Sequence, residues 1–184
     1  MSRVVIIGNA GGGKSTLARK LAKKRGLPHV EVDKLLWQEG WQLTPTDVYE
    51  KQHSELLERD EWVIDGVGQR ASIPARLSRA TEVILIDMPL WMHFWLAAER
   101  QIAWASGKIE DAPGGIAQMP PTQALFKTIW DVDQDWMPEI RALCSAAEAQ
   151  GKSVTRIASI EDLNAHTRLI SGAPKKDSDP TVTL

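Results

Sequence analysis

Residues 8–16, Gly-Asn-Ala-Gly-Gly-Gly-Lys-Ser-Thr, match the pattern G-x-x-x-x-G-K-[ST] without a gap. This pattern suits the holding of a phosphate chain. Gly8, Gly11, Gly12 and Gly13 let the backbone curl so that successive N–H groups point inward at phosphate oxygens. Lys14 is placed to reach the terminal phosphates, the Ser15 hydroxyl to ligate Mg²⁺, and Thr16 to complete the cradle. A nucleotide held as its Mg²⁺ complex also needs a carboxylate at a neighbouring strand end. Asp65, Asp33 and Asp87 all qualify by position, with Asp65 the first choice and Asp33 serving either the metal or an acceptor. The motif thus implies ATP and Mg²⁺, and leaves open whether the phosphoryl group is transferred, hydrolysed or only sensed.

The elements that must position these groups alternate between apolar runs and helical patterns, as in an α/β fold with a mostly parallel sheet. Val4-Val5-Ile6-Ile7 reads as a strand buried on both faces, and residues 14–25 as a helix closed by Gly26 and Pro28. "HVEVD" (29–33) is a second strand. Thr44 caps a helix over 45–59 with Pro45 at its first position. "EWVIDG" and "EVILID" are strands that each end in a carboxylate. A helix spans 91–105, and helical sequence resumes after the Gly/Pro-rich segment 106–121 and runs to 150 with an interruption at Pro138. "KSVTRIA" is the last strand, followed by a helix capped by Ser159 with Asp162 three residues on. Residues 106–121 suit a moving flap. The tail 171–184 has too few large apolar residues to pack and reads as disordered.

At 184 residues, 43% hydrophobic and a net charge of −2, the chain suits a single domain (1–170), with no compositional sign of a nucleic-acid or membrane partner. Its most apolar window, 83–98, is broken by Asp87, Pro89 and His93 and is too short to span a bilayer. One cysteine, Cys144, excludes an intramolecular disulfide, as expected of a cytoplasmic protein, and reads as a small helical hydrophobe.

Two uses of the phosphate site compete. "DGVGQR" (65–70) could be the D-x-x-G-Q of a GTPase switch, but the two asparagines, Asn9 and Asn164, supply no guanine-reading N-K-x-D. A kinase needs an acceptor pocket opposite the phosphate loop, cations over the transferred group, and a flap that excludes water. Segment 34–60, with Trp37 and Trp41 as walls, suits the pocket, and 106–121 the flap. Arg100 enters the flap, and the acidic stretch "DVDQDWMPEIR" (131–141) leaves Arg141 as its nearest cation.

The loop at residue 8 together with "VDKLLWQEGW", "WVIDG", "VILIDMP" and the late helix resembles the FlaR-like (DNA topology modulation) proteins of the adenylate kinase-like nucleoside-monophosphate kinase group. The similarity runs over about residues 3–170. It implies a P-loop NTPase three-layer α/β/α sandwich with a five-stranded parallel sheet in order 2-3-1-4-5 and a lid. The implied activity is transfer of the γ-phosphoryl group of Mg·ATP to a small acceptor, including a nucleoside monophosphate. By the same resemblance Asp33 lies on the acceptor side, Asp65-Gly66 begins the D-G-F-P-R motif, Arg70 or Arg76 stands for its arginine, and Arg100 touches adenine or phosphates. The chain departs from the family in lacking the Pro of D-G-F-P-R, in offering only Lys108 on the lid, and in carrying an acidic 131–135. That acidity supports an alternative, a non-catalytic nucleotide-binding regulatory module.

Of the eight tryptophans, Trp91 and Trp95 fall at helical spacing and are expected in the core. His93 reads as a satisfied core histidine. His29, His53 and His166 form no ligand pattern, and the basic residues at 19–25 form the solvated face of the first helix.

Overall fold

The computed structural model describes residues 1–108 and 119–172. Five parallel strands form the main sheet: β1 (Ser2–Gly8), β2 (His29–Glu31), β3 (Glu61–Asp65), β4 (Glu82–Ile86) and β5 (Ser153–Ile157). Their spatial order is β2-β3-β1-β4-β5, the order 2-3-1-4-5 that the resemblance implied. Central β1 pairs Val4 with Val63 on one side and Ile6 with Ile84 on the other.

Side chains alternate across a strand, so the apolar run of β1 feeds two cores. Val4 and Ile6 pack with Leu17, Leu21 and Ile170, from α1 (Lys14–Arg25) and α8 (Ile160–Ser171). Val5 and Ile7 face the opposite layer, with Leu56, Leu77 and Ile140 from α3 (Thr46–Leu57), α4 (Ile73–Arg79) and α7 (Met137–Ala149). Each fully buried aliphatic side chain contributes roughly 1.5–3 kcal/mol, so both faces of the sheet are held. The helices α2 (Val32–Leu36), α5 (Leu90–Ala105) and α6 (Thr122–Asp131) complete the set.

Several local expectations are met and others corrected. Helix α1 ends at Gly26 in the left-handed conformation, and the Ser159 hydroxyl accepts from the Asp162 N–H at 3.0 Å. Cys144 is buried, and that burial pushes its thiol up to about 11. Strand β2 stops at Glu31, so Asp33 lies in the first turn of α2 rather than at a strand end. Helix α3 begins at Thr46 with Pro45 as its cap residue. Thr44 is spent instead in a backbone bond to the Leu36 carbonyl, at 2.9 Å. Upstream of Pro138 the helix widens into a π-segment, Val132–Trp136, in which the Met137 N–H donates to the Val132 carbonyl five residues back. Trp91 and Trp95 are not core residues: they are 64% and 61% exposed, because α5 turns them outward while burying His93 and Ala97.

The expected lid falls largely in 109–118, and the expected tail in 173–184, both outside the described residues. Among the described residues no helix is long and apolar enough to cross a membrane.

Candidate active site

At the carboxyl end of β1 the phosphate loop is sterically determined. A Cβ on Gly8 would stand 2.3 Å from the Ile86 carbonyl oxygen, and one on Gly12 would stand 2.8 Å from Ile86 Cγ2. Gly13 takes a left-handed φ of 75° and hands the chain to α1, whose N-terminus faces the loop. The loop is also fastened from behind. Asn9 is fully buried; its Nδ2 donates to the Ile129 carbonyl on α6 at 2.7 Å, and its Oδ1 accepts from the Ala10 N–H. His93 Nδ1 donates to the Ala10 carbonyl at 2.8 Å, so the expected satisfied histidine of α5 clamps the phosphate loop.

Lys14 is buried and its Nζ donates to the Asn9 carbonyl at 2.7 Å. Burial holds its ammonium below the ordinary lysine value, Asp33 and Asp65 oppose that shift, and Arg100 adds to it. These four charges therefore share one electrostatic neighbourhood. Ser15 Oγ donates to Asp65 Oδ2 at 2.6 Å, and the other carboxylate oxygen of Asp65 meets His29 Nε2, also at 2.6 Å. A cation between Ser15 and Asp65 would find two hard oxygens already adjacent, and water or phosphate oxygens would complete an octahedral shell. The glycine cradle and this oxygen pair fit a Mg²⁺·triphosphate.

Asp33 sits opposite Lys14. Its Oδ1 accepts from the Gly68 N–H at 3.0 Å, and burial pushes its carboxyl above the ordinary value against the pull of Lys14. The loop after β3 is shaped to it: a Cβ on Gly66 would lie 2.7 Å from Asp33 Oδ2, and one on Gly68 would lie 2.2 Å from the Tyr49 hydroxyl. Arg76 is fully buried and donates to the Val67 carbonyl of this loop at 2.7 Å.

A cavity of about 1080 Å³ joins these groups. Gly11, Gly12, Gly13, Lys14, Ser15, Thr16, Asp33 and Arg100 all line it, as do Trp37, Trp41 and Arg70. Gly8 and Asp65 stand behind this wall. Arg141 is not brought to it: its Nε donates to Asp87 Oδ1 at 2.8 Å, which also occupies the third carboxylate considered for the metal. Of the acidic 131–135 segment Val132 lines the cavity, joined by the adjacent Trp136, while Asp131 pairs with Lys127. Arg19, expected on the solvated face of α1, also lines the cavity.

Sequence reasoning missed His29, Asn9 and Tyr49. His29 and Asp65 are 36 residues apart and meet only because β2 and β3 pair in register. Asn9 lay inside the motif, where its type is unconstrained by the pattern.

No protein-family model and no curated protein matches the chain, so the FlaR-like resemblance gains no support there. Among solved structures, the chain is similar to the crystal structure of shikimate kinase from Bacteroides thetaiotaomicron. The TM-score is 0.55 at 15% identity, over 93% of this chain and 97% of that one. The likeness is one of fold alone.

Proposed function

We propose that the chain is a P-loop kinase that transfers the γ-phosphoryl group of Mg·ATP to a hydroxyl of a small acceptor. The observation that carries this reading is the placement of Asp33 across one cavity from the phosphate loop, within electrostatic reach of Lys14. A hydrolytic switch has no need of a second carboxylate there. A hydroxyl acceptor does, because its proton must leave as the oxygen–phosphorus bond forms.

In this reading Asp33 takes the acceptor proton and orients the attacking oxygen, held in place by the Gly68 N–H. Lys14 exchanges the Asn9 carbonyl for phosphate oxygens, and with Arg100 it neutralises the charge on the transferred group. Ser15 and Asp65 would hold Mg²⁺, which would supply positive charge against the phosphates, while His29 fixes the orientation of Asp65. The acceptor oxygen gains the phosphoryl group and ADP leaves. Arg141 can join only by leaving Asp87. A nucleoside-monophosphate acceptor, the finer reading under the FlaR-like resemblance, would rely on Arg70, which is already paired with Glu139.

The test is ADP release from Mg·ATP with a panel of acceptors, using Lys14→Ala as the blank. Acceptor-dependent release is expected. Release no greater than the blank while ATP still binds would sink the transfer reading in favour of a nucleotide-binding module.

A further inference from the structure

Beyond Asp33 the cavity wall changes character. Helix α2 ends at Trp37, whose backbone N–H donates to the Asp33 carbonyl, so this tryptophan is tied to the carboxylate's own turn. The chain then doubles back in a small antiparallel hairpin that pairs Trp37 with Leu43 and Gln38 with Gln42. At its tip Gly40 and Trp41 both take positive φ, 73° and 59°. Trp41 is the one non-glycine residue in that region among the described residues. A bulky side chain there costs roughly 1–2 kcal/mol. The outcome is that Trp37 and Trp41 meet edge to face, centroids 5.8 Å apart and planes at 70°, on the cavity wall. Both indoles are only half-buried. Strain of this kind, spent on presenting two half-covered aromatic rings to a cavity, points to a ligand that completes their burial.

Charge narrows the ligand. Lys34 on this wall pairs with Glu31 at 2.8 Å, and Arg70 with Glu139 at 2.9 Å. Arg76 gives its Nη2 to the Val67 carbonyl, keeps Nε and Nη1 without a hydrogen-bond partner among the described residues, and is absent from the wall. Arg19 lies on α1 just beyond Ser15, and Arg100 is coupled to Lys14, so both stand at the triphosphate end. Lys108, just past the end of α5, also lines the cavity. On the wall beside the tryptophans, an acceptor with its own phosphate or carboxylate would meet Glu31 and Asp33, where Lys34 and Arg70 are already paired.

We propose that the acceptor is an uncharged alcohol carried on a ring, stacked against Trp37 and Trp41 with its hydroxyl toward Asp33. This rests on the kinase reading for the transfer step. Two sources share the chemistry: a nucleoside with a planar base, and a cyclic sugar alcohol with an apolar C–H face. In the transfer the acceptor O–H proton passes to Asp33, the oxygen bonds to the γ-phosphorus, and the bond from that phosphorus to the ADP oxygen breaks.

The experiment uses the full chain with Mg·ATP for turnover and with a non-hydrolysable ATP analogue for binding by calorimetry. The panel holds nucleosides, methyl pyranosides, their monophosphates and carboxylates, and acyclic polyols. A neutral ring alcohol is expected to exceed its charged counterpart at least tenfold in kcat/KM, and the two ring types name the source. Trp37→Ala should raise the acceptor KM about 10- to 100-fold, the range of one aromatic stack, while the KM for ATP stays within about twofold. Trp41→Gly removes the indole and relieves the positive φ, so a raised acceptor KM without a lower melting temperature separates stacking from folding. Preference for charged acceptors, or acyclic polyols equal to ring alcohols, overturns the proposal and leaves the kinase intact. Ring alcohols that bind in a Trp-dependent way without ADP release keep the ligand class and defeat the kinase reading. Absence of both binding and release for every compound defeats both.

Discussion

The two ends of the cavity are built on different physical terms. The phosphate loop rests on the central strand, its glycines are forced by Ile86 and His93, its Asn9 amide donates to the Ile129 carbonyl of α6, and its Ala10 carbonyl accepts from His93 of α5. The acceptor wall hangs on a hairpin with two-residue strands, whose Gly40 has nothing within 4 Å of where a Cβ would stand. One end cannot change without disturbing the core, whereas the other can change its ligand at little cost to the fold. Under the kinase reading, this division would let a single scaffold keep one phosphoryl donor while exchanging acceptors.

The sharpest break of this contrast is Lys14→Ala. It should lower acceptor-dependent ADP release by about 10³-fold, with the circular dichroism spectrum unchanged, because the lysine is held under a desolvation penalty. Asp33→Asn comes next. Turnover should fall about 10²-fold while ATP binding, followed by calorimetry, is retained.

The same variant carries a sign for stability. The Asp33 carboxyl is pushed above 3.8 in the folded chain. The stability it lends is therefore fully present below the unfolded value and is lost as pH rises through the folded one. Asp33→Asn should raise the melting temperature at pH 7.5, with a gain that shrinks as pH is lowered toward 4. A fall at neutral pH would contradict the desolvation account.

Paired glycine variants compare the two ends directly. Gly12→Ala drives a Cβ into Ile86 and His93. The overpacking costs about 1–3 kcal/mol and should weaken ATP binding about tenfold. Gly40→Ala meets no atoms but keeps a strained φ of 73°. It should cost only about 1 kcal/mol, an effect of roughly 2–4 °C on melting, and move the acceptor KM alone. Equal effects of the two on ATP binding would erase the distinction drawn here.

The smallest effect concerns His53, which stacks on Tyr49 behind the acceptor wall. Burial and the nearby Arg76 push its imidazole down to about 4. Its contribution is present above pH 6.5 and is lost as pH falls through about 4. His53→Phe should narrow the difference in melting temperature between pH 7 and pH 4.5.

The sequence disclosed the phosphate end because local rules suffice there. A strand, a glycine turn and a helix lie within 25 contiguous residues, and Ser15 finds Asp65 because apolar runs predict adjacent parallel strands. The acceptor end depends on long-range register and on backbone conformation. Nothing in the types of Trp37 and Trp41 announces a hairpin with a left-handed tryptophan, and the strand reading of 29–33 overran because Val32 and Asp33 continue its alternation. Spacing alone put Trp91 and Trp95 in the core, but periodicity identifies an apolar stripe without saying that it is covered. Arg141 was the cation left beside the acidic 131–135 stretch, and Asp87 captured it in space.

The two outer strands of the sheet settle a matter of colloidal behaviour. Among the described residues β2 offers only three residues of unpaired edge, too short a template for another chain to extend. β5 is longer, but Lys152 at its start and Arg156 within it are anchored to Leu77, Ser78, Ser145 and Glu148. These cations are tied to α4 and α7, so the last strand carries fixed charge along its length. Brevity at one margin and fixed charge at the other are what keep a sheet of such apolar strands from growing into a larger one.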